Sequence, residues 1–233
     1  MNILFAGSPH SAAKVLDSLS SESNINIKAV ITQPDKRGKR GSKLIESAVA
    51  NKASSLDIKI FKPKHLDDDK FKAELSLIEV EFLIVVAYGK IIPSWLLDLP
   101  KVSPINIHFS VLPTYRGASP IQSAILNGDT STGISIIKMN NELDSGDIYS
   151  VFEQNIKEDD DKISLEKKLT ELCNANLLNI LDKINSNKLH ASPQDHSKAT
   201  YCNKILKQES EINFNDGSTN IINKYRAYIE WPG

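Results

Sequence analysis

A chain of 233 residues, of which 40% are hydrophobic, is long enough for one large domain or for one domain and part of a second, and is too polar for a membrane protein. Its two cysteines have neither the spacing of metal ligands nor a paired disulfide framework, so we expect a reducing, cytoplasmic environment. Because the formal net charge is only −1, a nucleic-acid partner must be recognised from a local basic cluster.

Short apolar runs alternate with helical stretches through the first half of the chain. The N-terminus begins at once with an apolar strand and lacks a signal-peptide pattern. A continuous apolar run at 82–87 is typical of a strand that is buried on both faces of a sheet. The alternation predicts an α/β fold with a Rossmann-like, mostly parallel sheet and helices on both of its faces. The predicted strands are 3–6, 27–32, 58–61, 82–87 and 105–109, and the predicted helices are 11–19, 44–54 and 118–126.

The pattern changes in the second half of the chain. Residues 133–139 and 148–156 are predicted to form two strands that run antiparallel at an edge of the sheet. A long amphipathic helix is predicted at 164–184, where leucine and isoleucine recur at helical spacing. A polar stretch follows, from which we predict a catalytic domain at 1–189 and a linker at 190–205.

Two polar side chains lie close together on the fifth predicted strand. Asn106 and His108 are two residues apart, so both leave the same face of that strand. Ligands bind beyond the carboxyl ends of parallel strands, and an amide beside an imidazole can donate two hydrogen bonds to a developing oxyanion. The alternative is a polar pair with a structural role only. The long loop that follows, with Pro113 and Arg116–Gly117, favours a functional site.

A carboxylate for this site is predicted in the loop between the two edge strands. Asp144 and Asp147 lie in a stretch rich in Asp and Gly, and such a stretch is often only a turn. A carboxylate beside His108 would favour the charged imidazole and fix the orientation of the ring, as a working acid requires. Both interpretations stay open at this point.

A basic loop follows the second predicted strand. The simplest interpretation is a solvated surface loop. The loop lies, however, on the same rim of the predicted sheet as Asn106 and His108, which favours a phosphate-rich partner. Its basic residues are Lys36, Arg37, Lys39, Arg40 and Lys43.

Several stretches together resemble the signature of the folate-dependent formyltransferases. The signature stretches are Asn106-Ile107-His108, Ser110 to Ile121 and Leu143 to Ile148. Further stretches resemble those family members that act on methionine carried by initiator tRNA. These further stretches are 5–9, 32–35, 40–44, 226–228 and 231–233. The resemblance spans the whole chain.

The resemblance implies an activity and assigns roles to residues. The activity is transfer of a formyl group from 10-formyltetrahydrofolate to the free amine of methionyl initiator tRNA, for translation initiation. The catalytic residues implied are Asn106, His108 and Asp144. The folate-binding residues implied are Ser110, Val111, Leu112, Pro113, Tyr88 and Gly89. The tRNA-binding residue implied is Arg40, to which we add its neighbours Arg37, Lys39 and Lys43.

The resemblance also implies an architecture and a set of partners. Residues 206–233 would begin a C-terminal tRNA-binding domain of OB type, incomplete in this chain. The partners expected are initiator methionyl-tRNA and folate, with no metal and no membrane, and we expect a monomer. Two other functions stay open: a formyltransferase for an amino sugar or small amine, and a non-catalytic nucleic-acid-binding module.

Overall fold

Eleven strands are present in the computed structural model, which describes residues 1–37 and 44–233. Seven of them form one sheet, and the other four form two short pairs. In chain order the strands are β1 (Asn2–Gly7), β2 (Asn26–Ile31), β3 (Lys36–Arg37), β4 (Leu44–Ile45), β5 (Ile60–Phe61), β6 (Phe82–Val86), β7 (Ser103–His108), β8 (Arg116–Gly117), β9 (Ser131–Lys138), β10 (Ile148–Asn155) and β11 (Tyr201–Cys202).

The large sheet has the order β10-β9-β7-β6-β1-β2-β5. Strands β5, β2, β1, β6 and β7 are parallel to one another, whereas β9 is antiparallel to β7 and β10 is antiparallel to β9. The central strands are apolar on both faces: every residue of β6 is buried. The predicted mostly parallel sheet with an antiparallel edge is therefore confirmed.

Seven helices are present in the described ranges, together with two short 3-10 helices at His196–Lys198 and Lys207–Ser210. The prediction of a helix from residue 44 was wrong at its start, because 44 and 45 belong to β4 and Ser47 caps the helix by accepting a hydrogen bond from the Ala50 N–H at 2.9 Å. The helices are α1 (His10–Ser20), α2 (Ala48–Ser55), α3 (Asp69–Ser76), α4 (Ser94–Leu97), α5 (Pro120–Leu126), α6 (Lys162–Asn185) and α7 (Ser218–Tyr228).

Helices cover both faces of the sheet, and each face has its own core. One core contains Leu16 of α1 and Leu169 of α6, packed with apolar residues of the central strands. The other core contains Leu75 of α3 and Leu96 of α4. All four leucines have 0% exposure, and burial of each contributes about 1.5–3 kcal/mol. The two cores hold the central strands in place, so that their carboxyl ends form a fixed edge.

The chain after α6 returns to the loops of the large sheet. β11 pairs with β8 in parallel, and an isolated bridge joins Ser192 to Ile148. Helix α7 packs against α5 and α6, with Ala227 and Tyr228 buried. The segment 190–205, predicted to be a linker, is thus bound along much of its length, while the predicted domain boundaries stay a prediction. No helix in the described part of the chain is long and apolar enough to cross a membrane.

Candidate active site

Asn106 and His108 lie at the carboxyl end of β7, in the interior of the sheet. Asn106 is in register with Val85 of β6 on one side and with Ile137 of β9 on the other, and His108 is in register with Ser135. The His108 side chain is only 6% exposed. Strands on both sides therefore fix the backbone beneath the two polar side chains.

Asp144 is brought to these two residues by the loop that joins β9 to β10. Its Oδ1 accepts a hydrogen bond from Asn106 Nδ2 at 3.1 Å, and its Oδ2 accepts one from the Gly117 N–H at 2.9 Å. Oδ2 also lies 3.6 Å from His108 Nδ1. With a side chain only 10% exposed, Asp144 relies on these contacts in place of water. The structure thus brings together the three residues predicted to be catalytic.

Both ring nitrogens of His108 face oxygen atoms that can only accept hydrogen bonds. Nε2 lies 2.8 Å from the backbone oxygen of Tyr115, and a carbonyl oxygen cannot donate, so Nε2 carries a proton. Nδ1 faces the Asp144 carboxylate at 3.6 Å, which is beyond ordinary hydrogen-bond distance. A proton on Nδ1 makes the ring a cation that Asp144 attracts. Nδ1 is the nitrogen left available to a substrate atom.

The loop that carries Asp144 is fixed through its backbone. Asp144 has φ 48°, a left-handed conformation that costs a residue with a side chain about 1–2 kcal/mol. A Cβ at Gly146 would lie 1.8 Å from the backbone oxygen of Lys138, so this close approach requires glycine. The Gln194 side chain donates to the backbone oxygens of Asp144 at 2.9 Å and Gly146 at 2.7 Å. Asp147 is exposed, so the structure places Asp144 at the site.

Comparison with known sequences identifies the family. Residues 1–181 match the sequence profile described as formyl transferase. The chain belongs to this family. The methionyl-tRNA formyltransferase of Sulfurihydrogenibium sp. is 42% identical over 233 residues, which is 100% of this chain and 75% of that protein. The methionyl-tRNA formyltransferase of Sulfurimonas denitrificans is 41% identical over 236 residues, covering 100% of this chain and 76% of that protein.

Solved structures share the fold of this formyl transferase. The N-formyltransferase from Helicobacter canadensis, in complex with folinic acid and dTDP-3-aminofucose, has a TM-score of 0.74 at 21% identity, over 97% of this chain and 80% of that chain. HypX from Aquifex aeolicus, in complex with tetrahydrofolic acid, has a TM-score of 0.69 at 16% identity, over 99% of this chain and 35% of that chain. These likenesses agree with the predicted α/β fold class.

The loop after β7 contains four of the residues predicted to bind folate in this formyl transferase. Ser110 is fully buried, and its hydroxyl donates to a backbone oxygen of the same loop at 2.6 Å. Leu112 is buried as well, and its N–H donates to Ser135 Oγ at 3.0 Å. Val111 and Pro113 are partly exposed. The buried pair holds the loop, while the exposed pair is free to contact a ligand, and the assignment to folate stays a prediction.

Tyr88 and Gly89 lie at the same edge, beyond the end of β6. The Tyr88 side chain packs in the second core, and burial raises the pKa of its hydroxyl to about 12. Its backbone oxygen accepts a hydrogen bond from Gln33 Nε2 at 2.8 Å. Gly89 has φ 79°, and a Cβ there would lie 2.7 Å from the same Gln33 nitrogen. Tyr88 thus offers the edge its backbone and not its ring.

The basic loop begins on the antiparallel pair of β3 and β4, which we call the basic hairpin. This pair follows β2 along the chain. Lys36 and Arg37 are exposed on β3. Lys62 joins Asp35 and Glu46 with two contacts of 2.6 Å, which tie the base of the hairpin to the sheet. Three predicted tRNA-binding residues lie outside the described residues. These are Lys39, Arg40 and Lys43.

Three residues that contact the Asp144 loop or the loop after β7 were missed by sequence reasoning. Gln194 is buried beneath Asp144. Thr200 accepts a hydrogen bond from the Tyr115 N–H at 2.8 Å, and Cys202 Sγ lies 3.4 Å from the Tyr115 oxygen. All three come from the stretch predicted to be a linker, and no motif or periodicity in the sequence marks them.

Proposed function

We propose that the chain transfers a formyl group from 10-formyltetrahydrofolate to the free amine of methionyl initiator tRNA, which produces N-formylmethionyl-tRNA. The observation that carries the proposal is the convergence of Asn106, His108 and Asp144 at the carboxyl edge of the sheet. Identity of 42% to a methionyl-tRNA formyltransferase over the full chain supports methionyl-tRNA as the acceptor.

The chemistry requires a site for negative charge on the formyl oxygen. As the amine nitrogen bonds to the formyl carbon, the carbonyl electrons move onto that oxygen. Asn106 uses one N–H of its amide for Asp144, which leaves the second for the formyl oxygen. His108 Nδ1, when protonated, supplies a second donor beside it. Preorganised donors of this kind lower the barrier of acyl transfer by several kcal/mol.

The second requirement is a proton for the departing nitrogen. The bond between the formyl carbon and the folate nitrogen breaks only as that nitrogen gains a proton, and the attacking amine must lose one. His108 is placed to give a proton to the folate nitrogen, directly or through a water molecule, and the proton that the amine releases returns to the ring, so that no net proton is consumed. Asp144 holds the ring by its charge and orients Asn106 through a hydrogen bond. α-Amino groups titrate near pH 8, so a usable share of the acceptor is neutral at neutral pH.

Recognition of the acceptor depends on the same edge of the sheet. Lys36 and Arg37 are exposed on a hairpin that directly follows β2, and their charges suit the phosphates of an acceptor stem. A nucleotide-linked amino sugar offers only a diphosphate, whereas a tRNA stem offers a long row of phosphates to exposed basic side chains. The hairpin therefore favours tRNA over a small amine as the acceptor.

The deciding experiment supplies the formyl donor together with different acceptors. Radiolabelled 10-formyltetrahydrofolate is offered with methionyl initiator tRNA, with the same tRNA lacking methionine, with methionine methyl ester, or with a nucleotide-linked amino sugar. We expect transfer to methionyl-tRNA at a kcat/KM at least a hundredfold above that for the ester. Faster transfer to the amino sugar would assign the chain to the alternative class, and transfer to none would remove the catalytic proposal.

A further inference from the structure

Gln194 links the catalytic carboxylate to a buried guanidinium. Its side chain is 6% exposed in a segment beyond the matched family region, and both ends of its amide are occupied. Nε2 donates to the backbone oxygens of Asp144 and Gly146. Oε1 accepts from Arg116 Nε at 3.1 Å and Nη2 at 2.6 Å. We propose that Gln194, oriented by Arg116, is a positioning residue that sets Asp144 against His108 for formyl transfer.

Arg116 determines which way the Gln194 amide points. Its guanidinium can donate hydrogen bonds but cannot accept them, and the residue is only 3% exposed. Its further side-chain contacts are with His196 Nδ1 at 3.0 Å and the Tyr201 hydroxyl at 3.5 Å. A reversed amide would set the NH2 of Gln194 against the guanidinium and its oxygen against two carbonyl oxygens. Arg116 therefore excludes the reversed amide, and the two donated hydrogen bonds reach the Asp144 loop.

The contacts form a closed ring around Asp144. Gly117, the neighbour of Arg116, donates its N–H to Asp144 Oδ2. Arg116 reaches the backbone of the same aspartate through Gln194. The carboxylate of Asp144 is thus bonded directly to β8, and its backbone is connected to β8 through Gln194. Because the left-handed backbone of Asp144 is unfavourable on its own, loss of either contact lets the carboxylate move away from His108.

The segment that carries Gln194 is anchored independently of Asp144. Ser192 and Ile148 exchange backbone hydrogen bonds of 2.8 and 2.9 Å two residues before it. Asp195, the next residue, is exposed, and its side chain accepts from Ser197 and pairs with Lys198. The backbone around Gln194 is therefore held by contacts of its own segment. Its amide can then fix the orientation of the Asp144 loop.

Two substitutions separate positioning from stability. Gln194→Glu keeps an acceptor for Arg116 but replaces the two donated hydrogen bonds by repulsion between oxygens. Gln194→Met removes both functions at similar size. We expect the Glu variant to keep its unfolding temperature within a few degrees and the Met variant to lose more, because the guanidinium is then left without its main partner. Both should lower kcat by at least about tenfold, with KM for the formyl donor changed less than about threefold.

A measurement without substrate tests the same point. Hydrogen exchange of the Gly117 amide, which is bonded to Asp144 Oδ2, should be faster in both Gln194 variants. Gln208→Glu, the same change at an exposed position, serves as the control and should match the parent in exchange and in kcat. The inference rests on the proposed function for its kinetic part only, so the exchange result stands even if another acceptor replaces tRNA. Parental exchange at Gly117 in the Glu variant, or a kcat that follows the unfolding temperature alone, would overturn the positioning role.

Discussion

At the scale of single residues, the ring of His108 combines burial with two neighbouring acceptors. Its Nε2 is committed to the Tyr115 oxygen at 2.8 Å, so only Nδ1 faces the space beside Asn106 and Asp144. The Asp144 carboxylate lies 3.6 Å from Nδ1, where it would attract the ring whenever Nδ1 also carries a proton. One ring nitrogen therefore serves the structure, and the other is left for the chemistry.

Removal of the ring tests this arrangement. His108→Ala should lower kcat for formyl transfer by at least about a hundredfold, because both an oxyanion donor and the proton source are lost. Folate affinity, measured by fluorescence titration, should change little. His65→Ala is the matched control, since His65 is exposed in a surface loop, and it should keep parental turnover. A His108→Ala enzyme within threefold of the parent would disprove the assignment.

Asp144 can be tested against a control substitution in the same loop. In Asp144→Asn one carboxylate oxygen becomes an NH2, which must then oppose either the Asn106 amide or the Gly117 N–H. We expect kcat to fall at least about tenfold and the free energy of unfolding to fall by about 1–3 kcal/mol. Asp147→Asn, at an exposed position of the same loop, should change neither. Equal effects of the two substitutions would reduce Asp144 to a turn residue.

The residues that could be predicted from sequence are those whose spacing has a local meaning. Asn106 and His108 share a face because strand geometry dictates it, and the structure shows this pair. The residue pattern alone could not decide between Asp144 and Asp147, because the choice depends on how the loop folds back onto β8; Asp144 was assigned only through the family resemblance. Gln194 escaped notice because its partners lie far away in the sequence, at Asp144 and at Arg116. Contacts of that kind leave no periodicity to read.

At the scale of elements, a buried carboxylate lies just before the N-cap of α6, which is Asp161. Asp160 is 3% exposed, and it accepts from Lys168 Nζ at 2.6 Å and from the Lys157 N–H at 2.8 Å. Burial by itself raises the pKa of Asp160, but hydrogen bonds from Lys168, Lys157 and Ser164 outweigh it and bring the pKa below its ordinary value of 3.8. Its backbone oxygen also accepts from Arg226 of α7 at 2.6 Å. Asp160 therefore joins two helices.

The lowered pKa of Asp160 gives a pH-dependent prediction. A carboxylate whose pKa is lower in the folded state contributes stability above its unfolded pKa and loses it as the pH falls through the folded value. Asp160→Asn should therefore lower the free energy of unfolding by about 2 kcal/mol at pH 7, with the difference from the parent shrinking below pH 4. Urea titrations at several pH values provide the measurement. A difference that stays constant down to pH 3 would contradict the linkage.

The elements themselves were predicted with uneven success. Strands such as β6 and the long helix α6 have apolar patterns that local physics explains, and they occur where expected. Helix α3 was not predicted, because its eight residues contain only two buried apolar side chains. The pairing of β8 with β11 was also missed, since two-residue strands joined across most of a domain have no local signal.

At the scale of the whole molecule, the side of the sheet where the parallel strands end (the carboxyl edge) and the side where they begin have different roles. The carboxyl edge holds Asn106, His108 and the basic hairpin, and the order of parallel strands made this grouping predictable from sequence. The opposite edge holds ordinary surface charges such as Lys101, which pairs with Glu79 at 2.8 Å. A tRNA bound at the first edge should respond to charge there and not at the second.

Salt dependence of tRNA binding tests this polarity. Arg37→Ala should weaken binding of methionyl-tRNA and reduce the slope of log affinity against log salt by about one. Lys101→Ala removes an equal charge from the opposite edge and should leave both quantities unchanged. Filter-binding titrations at four salt concentrations would measure them. Equal losses for the two variants would mean that the basic hairpin is no special contact for tRNA.

The contact between Gln194 and Asp144 has a consequence for how the enzyme comes into being. The two residues are separated by 50 positions, while the strands that build the sheet are complete by Asn155. As the polypeptide leaves the ribosome, all seven strands of the large sheet emerge before Gln194, whereas Ala227 and Tyr228 of α7, which belong to one of the cores, emerge after it. The nascent chain therefore contains every strand of the large sheet before the returning segment can donate its hydrogen bonds to the Asp144 loop, so the geometry around Asp144 is completed after those strands.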